Sequence, residues 1–561
     1  MKVSIEGTRI LGAPVGSVSF KVAFASKVVS SILDDLDALA YMPSLQAQHL
    51  IATKSLVHRL NHLLRNIPGG EIIFGQIAAR YDEAIFAIPQ RICHSAASLP
   101  LHARILTCLP LDRGGLGYRT WSSTCDAAFL ASYSYISTSF KSLFPSLAPL
   151  YPSALTLSAS TVAPSRRAAY AHRAFTRLRA QAPSISEILS DATQLNSLRK
   201  LQHSISTAAT DAIAGRATEA ISKLDIPQHP RHMALYNSNC GDTFSFSAIP
   251  TDSDTTFCNQ DFEVLTARRL LLRLTPTVGE KQQCPSCLKN STVSTSGLRR
   301  PHFFPEVDDF GDHSIRCAKD GLRARLWHDP IARILTRIAK AANIICHYEL
   351  AGFMSSSNSN KRPDVVFYIE TTGQAHIVDV RTNDVTIHNW CKKSALTPGY
   401  ANDQGMLLKN KKWQALSAAQ NDHFLAFGIE VGGRLHPASD NFIRRLSFSA
   451  GGTASEQAAF RTWALQRLHC TSQRGVARII RHRAPINMGP RQVDPRGYRN
   501  LGFLPPPPPL PPPPLLPPLP PPPLLAPPSP PRLGLLAQAG LFEQRQCSPV
   551  HISPASPFVL W

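Results

Sequence analysis

The sequence has no run of eighteen uncharged apolar residues, so no helix is expected to cross a membrane. Its first residues, Met1-Lys2-Val3-Ser4-Ile5-Glu6-Gly7-Thr8-Arg9, lack the apolar core of a secretory signal, and no leader is expected there. Twelve cysteines are scattered over 561 residues. Only Cys284 and Cys287 form a tight pair, which excludes a disulfide framework and suits a reducing compartment with one metal site. Acidic residues are scarce: 38 Asp and Glu face 59 Lys and Arg, a formal charge of +21. Such an excess argues for a polyanionic partner, of which nucleic acid is the commonest.

What is present suffices for several packed domains. Hydrophobic residues make up 43% of the chain, and the length allows two to four domains. Residues 1–25 read as a strand, a turn over 12–17 and the start of a helix. Residues 26–145 read as mostly helical, with Ile32, Leu36 and Leu39, then Leu56, Leu60, Leu63 and Leu64, at three- and four-residue spacing. Pro68-Gly69-Gly70 and the run from Asp112 to Gly117 break that stretch. Residues 146–254 read as a linker followed by a basic helical connector, whose charges face either solvent or nucleic acid.

A strongly basic helix is expected over 266–274, and an amphipathic one over 321–343 with Leu322, Leu326, Ile331, Ile334, Leu335 and Ile338. Arg268, Arg269 and Arg273 on the first, and Arg323, Arg325 and His328 on the second, are the candidate nucleic-acid contacts. Two strand-like runs follow, 364–369 and 375–380, joined by Thr371-Thr372-Gly373. A helix over 405–419 and a strand over 424–431 complete an α/β pattern, and a basic helix spans 456–481. Residues 504–532 are almost only Pro and Leu. Such a segment takes the polyproline II form and has no core. It reads as a disordered tail, or as a segment that docks an aromatic-lined groove of a partner.

Two constellations carry chemistry. Cys284-x2-Cys287 and His313-x3-Cys317 have the spacing of a four-ligand zinc site, since zinc takes thiolates and imidazoles in a tetrahedron. A closed set of four is structural, so no reaction is expected at this Zn2+. The second set is Asp364, which opens one strand run, and Asp379, near the end of the next. Fourteen residues separate them, the length of a hairpin that brings both side chains together. Two such carboxylates can hold Mg2+ or Mn2+ and leave room for water and phosphate. Arg381 lies two residues after Asp379, where nucleases of the PD-(D/E)xK type carry lysine. Arginine stays protonated and is a poor proton carrier. Lys409 and Lys412 on the next helix are the alternative source of a lysine, and Glu349 is a candidate further magnesium ligand.

Together these residues resemble the C-terminal half of non-LTR retrotransposon proteins, in which a CCHC zinc knuckle precedes a restriction-like PD-(D/E)xK endonuclease. The resemblance rests on the knuckle residues, on Gly311-Asp312-His313, on Arg325-Leu326-Trp327-His328-Asp329, on Arg362-Pro363-Asp364 with Asp379, and on Lys409-Asn410-Lys411-Lys412-Trp413. Leu11-Gly12-Ala13-Pro14, the run Leu56–Arg65 and Leu109-Pro110 with Gly114-Gly115-Leu116-Gly117 resemble the strand-turn and thumb helices that follow a polymerase palm.

The resemblance implies a multidomain chain. Its parts would be a thumb-like helical region over 1–145, a linker and connector over 146–254, and a basic helix with the knuckle over 255–320. An α/β restriction-endonuclease-like domain over 321–450, a basic helix over 451–490 and a disordered proline-rich tail over 491–561 would follow. It implies DNA and element RNA as partners, a nuclear location and metal-dependent nicking. No Tyr/Phe-x-Asp-Asp run sits in a strand context, and Asp34-Asp35 falls in a helical run. Polymerase activity is therefore not expected. Two readings stay open: an active endonuclease, or a non-catalytic nucleic-acid-binding remnant.

Overall fold

The architecture is that of a computed structural model. It describes residues 6–95, 97–156, 165–195, 197–224, 228–274, 284–289, 308–350, 362–368, 375–419 and 423–483. All of these belong to one compact unit, Met1–Pro490; the second unit, Arg491–Trp561, and with it the proline-rich tail, lies outside the described residues. So do the turn at 371–373 and most of the loop between Cys287 and His313.

The chain opens with a hairpin, β1 (Gly7–Ile10) and β2 (Ala13–Gly16). Sequence reasoning put a turn where β2 runs. The true turn is Leu11-Gly12, both at positive φ, a two-residue connection that leucine disguises because Asn or Gly is its usual marker. Ser17 then caps α1 (Val18–Leu39) by accepting from Phe20 N. Helices α2 (Leu45–Lys54), α3 (Leu60–Asn66), α4 (Gly75–Ile92), α5 (Leu101–Cys108) and α6 (Trp121–Leu143) follow, and α3 and α4 pack on α1. The predicted stripe of Ile32, Leu36, Leu39, Leu60, Leu63 and Leu64 is buried in the main core.

Beyond α6 come α7 (Arg166–Gln181), α8 (Ile185–Ser190), α9 (Ala192–Leu195) and α10 (Leu198–Ser222). The described residues of the expected linker and connector are instead part of packed cores. Ala168, Ala171, Ala174, Phe175 and Leu178 of α7 meet Phe129, Leu130 and Tyr133 of α6 and Leu201 and Ile205 of α10 in a second core. Alanine supplies most of that face, so the composition hid it.

Next are α11 (Gln228–Asn239), α12 (Asn259–Arg269), α13 (Pro285–Lys289), α14 (Asp312–Arg316) and α15 (Asp329–Ala341). A π-helical turn, Ala324–His328, leads into α15. Leu322 and Trp327, both buried, stand five residues apart, a step that this wider turn absorbs; such turns frequently mark functional sites. A four-stranded sheet follows, ordered β3 (Ile345–Tyr348), β4 (Val365–Tyr368), β5 (Ala375–Asn383), β6 (His423–Glu430). The first three are antiparallel, and β6 is parallel to β5. A parallel pair needs a crossover; α16 (His388–Leu396) and α17 (Tyr400–Ala419) provide it.

The chain continues through α18 (Pro437–Ser449) and α19 (Ala454–Arg483). Helix α19 was expected to present a basic face. It runs instead through the core, burying Leu465, Leu468, Val476, Ile479 and Ile480. Its arginines close ion pairs: Arg467 with Asp252, and Arg481 with Asp261 at 2.5 Å. At Gly475 a Cβ would stand 2.4 Å from the Leu326 carbonyl, so only glycine lets α19 cross the π-helical turn this closely. Trp327 Nε1 donates to Ser472 Oγ at 2.9 Å across the same crossing. The described part is thus mostly helical with two small sheets, and no helix in it is long and apolar enough to cross a membrane.

Candidate functional site

Cys284 stands before α13 and Cys287 inside it; His313 lies in α14 and Cys317 caps its end. Gly311 opens α14 at φ +75°, and a Cβ there would sit 2.9 Å from Ile480 Cγ2. Both conditions demand glycine. Cys317 Sγ is 3.9 Å from Cys284 Sγ and 3.7 Å from Cys287 Sγ, and Cys287 Sγ is 3.6 Å from His313 Nε2. A tetrahedron with Zn–S near 2.3 Å has sulfur–sulfur edges of about 3.8 Å and sulfur–nitrogen edges of about 3.6 Å. All four ligand atoms lie within 4.8 Å of one another, so the group can bind a metal such as zinc. Burial and the neighbouring Cys317 and Cys284 thiols push Cys287 up to about 12, and burial holds His313 low, in the neutral form that ligates.

Buried arginines fix this knuckle. Asp312 lies between Arg231 of α11 and Arg268 of α12, the latter at 3.0 Å. Arg483 donates to the Ser314 and Cys317 carbonyls and pairs with Asp320. Arg269 donates to the Gly115, Leu111 and Asp242 carbonyls. Arg268 and Arg269, expected to face nucleic acid, are therefore buried struts. Arg273 is exposed and stands 3.6 Å from Asp309.

The carboxylates meet on the sheet. Val365 pairs with Val378, so Asp364 stands opposite Asp379, one step on in the same ladder. The two side chains are close enough for the charge of Asp364 to act on Asp379. Strand β5 runs past the start of β4, and Val380 N donates to Asp364 Oδ2 at 2.6 Å. His328, at the end of the π-helical turn, places Nε2 3.2 Å from Asp364 Oδ2 and 3.1 Å from the Val380 carbonyl. Its Nδ1 is 3.1 Å from Asp329 Oδ1. Both ring nitrogens face oxygens, an arrangement that favours the doubly protonated ring. Burial opposes that charge, and the bonds to Asp364 and Asp329 outweigh it and raise His328.

Asp379 is 2% exposed. Lys409 of α17 closes an ion pair with its Oδ2, and Trp413, one turn further along, donates Nε1–H to the same oxygen at 2.7 Å. Burial and then the charge of Asp364 raise Asp379, against Lys409. Burial would also raise Asp364, but His328, Val380 N and Lys409 together lower it. Two neighbouring carboxyls repel when both are ionised, and Lys409 is the cation that sits beside them.

The other expected residues sort clearly. Arg381 shares a strand face with Asp379 by the two-residue period; its Nε is 3.3 Å from Asn383 Oδ1, and burial lowers it, against the pull of Asp379. Lys412 is exposed and stands 4.5 Å over the Trp413 ring. Glu349 is exposed; its backbone N–H donates to the Asp364 carbonyl at 3.0 Å, and its side chain joins no group of three or more ligands among the described residues. Among the described residues, the cysteine–histidine group is the one that brings three or more ligand atoms together. Arg323 donates to the Thr382 carbonyl and stands 5.2 Å over the Trp327 ring, while Arg325 is exposed.

Sequence reasoning assigned His328 to nucleic acid, yet it serves Asp364. It also quoted Trp413 without a role. The i, i+4 spacing of Lys409 and Trp413 was the available signal, since it puts both on one helix face. No protein-family model and no curated protein sequence matches the chain.

Proposed function

We propose that the chain is the endonuclease-bearing part of a non-LTR retrotransposon protein, and that residues 321–450 nick DNA with Mg2+ or Mn2+ held by Asp364 and Asp379. The observation that supports this reading most is the pairing of those two carboxylates, opposite each other on β4 and β5 with a lysine at their side. A divalent ion there would activate water and stabilise the leaving oxygen.

The chain's own residues do the rest. Lys409 from the helix supplies the positive charge that the strand position, held by Arg381, supplies in other such nucleases. His328 holds Asp364 ionised. Exposed Arg325, Lys392, Lys411 and Lys412 offer charges to the DNA backbone, which dominates affinity. The zinc knuckle is a structural clamp. A chromosomal target implies a nuclear protein, element RNA is its further partner, and no polymerase activity is part of this reading.

Conversion of supercoiled plasmid to open circle in Mg2+ or Mn2+, and its loss in EDTA, tests the proposal. Lys409→Ala should slow nicking by about a hundredfold or more, the scale of losing a group that stabilises developing charge. Arg381→Ala and Lys412→Ala should cost less. A severe Arg381→Ala with a mild Lys409→Ala would return the role to the strand. The occupation of the lysine position by Arg381 favours a second reading, a nucleic-acid-binding remnant. DNA binding without cleavage by any form would select it.

A further inference from the structure

We infer that Trp413 is a positioning residue for metal binding at Asp379; the inference rests on the nuclease reading. The indole ring is fully buried beside Ile377 and Phe424, the latter stacked at 6.3 Å between centroids. Apolar packing alone would place the ring there. Its N–H, however, is aimed at a carboxylate, at 2.7 Å from Asp379 Oδ2. A buried indole donor normally finds an acceptor, and here that acceptor is one of the paired carboxyls. Lys409, one helical turn earlier, engages the same oxygen. Both bonds use Oδ2 and neither uses Oδ1. Helix α17 therefore fixes the rotation of the Asp379 carboxyl without engaging Oδ1, the oxygen that an ion shared with Asp364 would take.

Helix α17 is itself pinned. A Cβ at Gly405 would stand 2.2 Å from Asn383 Oδ1, and Asn383 Nδ2 donates to Asn402 Oδ1 at 2.9 Å. The donor is thus carried on a helix locked against β5. Partners of this kind, which orient a metal-ligating group, typically account for 10–100-fold in metal affinity.

The test is Trp413→Phe, which keeps an aromatic ring against Ile377 and Phe424 and removes the donor. Mn2+ affinity is read from the free-ion signal in electron paramagnetic resonance, on full-length zinc-loaded protein, and nicking is read at saturating Mn2+. The expected result is Mn2+ binding weaker by about tenfold or more, with DNA affinity unchanged and much of the nicking rate recovered at saturation.

A second measurement needs no substitution at 413. In wild-type protein carrying 15N-labelled tryptophan, one of the six indole N–H signals should move when Mg2+ binds, and the same signal should move in Asp379→Asn. Wild type that holds no Mn2+ would defeat the nuclease reading and this inference together. Wild type that holds Mn2+, with Trp413→Phe equal to it and no indole signal responding, would defeat this inference alone.

Discussion

Asp364→Asn and Asp379→Asn should each reduce plasmid nicking by more than about a hundredfold, since loss of groups one step removed from a metal already costs 10–100-fold. Asparagine keeps the size and removes the anionic ligand. Zinc content and DNA binding should persist, because the knuckle lies on other elements. The two changes differ in their effect on stability. Asp379→Asn leaves Lys409 beside a neutral amide, and stranding one partner of a buried pair destabilises by about 3–5 kcal/mol. It also removes the repulsion with Asp364, which acts the other way. Thermal midpoints recorded beside the nicking rates separate lost chemistry from lost structure. Cleavage equal to wild type in both variants would mean that the aspartates do not carry the reaction.

Loss of zinc should be the largest structural perturbation. Elemental analysis of the purified chain should find about one zinc per molecule, as a single four-ligand site requires. Cys317→Ser should abolish it. Structural zinc in small finger peptides binds with roughly 10–16 kcal/mol, which is largely folding free energy. The Cys317 carbonyl also accepts from Arg483 at the end of α19, and α19 crosses the turn that carries His328. Chelation should therefore raise amide hydrogen exchange over residues 308–320 first, and over the 324–328 turn next. A chain that is folded and metal-free, with unchanged exchange in both segments, would refute the zinc assignment.

The knuckle and the aspartate pair were legible in the sequence for a physical reason. Metal ligands are set by residue type and spacing, and Cys-x2-Cys with His-x3-Cys leaves few alternatives. The hairpin of Asp364 and Asp379 followed from two apolar runs of strand length, and β4 and β5 lie where those runs are. The basic helices misled because charge was taken for exposure. Arg268 and Arg269 end an eleven-residue helix and turn inward to carbonyls and Asp312. No local pattern distinguishes such a strut from a phosphate contact, since the partner carbonyls come from distant segments. The same holds for His328, whose neighbours at Asp364 and Val380 are set by a π-helical turn that sequence periodicity shows only as one step of five.

Lys409 illustrates the intermediate case. Its distance in sequence from Asp379 says nothing of contact. The parallel pairing of β5 with β6 requires a crossover, and that crossover returns α17 over the sheet. Once this topology is known, the i, i+4 pair of Lys409 and Trp413 has one carboxylate to meet.

The central claim is that Asp364 and Asp379 jointly hold a divalent ion. A Mn2+ titration of the zinc-loaded chain, followed by the free-ion resonance, tests it most directly. The account predicts at least one Mn2+ bound by wild type beyond the zinc, lost in both Asp364→Asn and Asp379→Asn and kept in Glu349→Gln. Equal Mn2+ binding by wild type and both aspartate variants, or none by wild type, would contradict it.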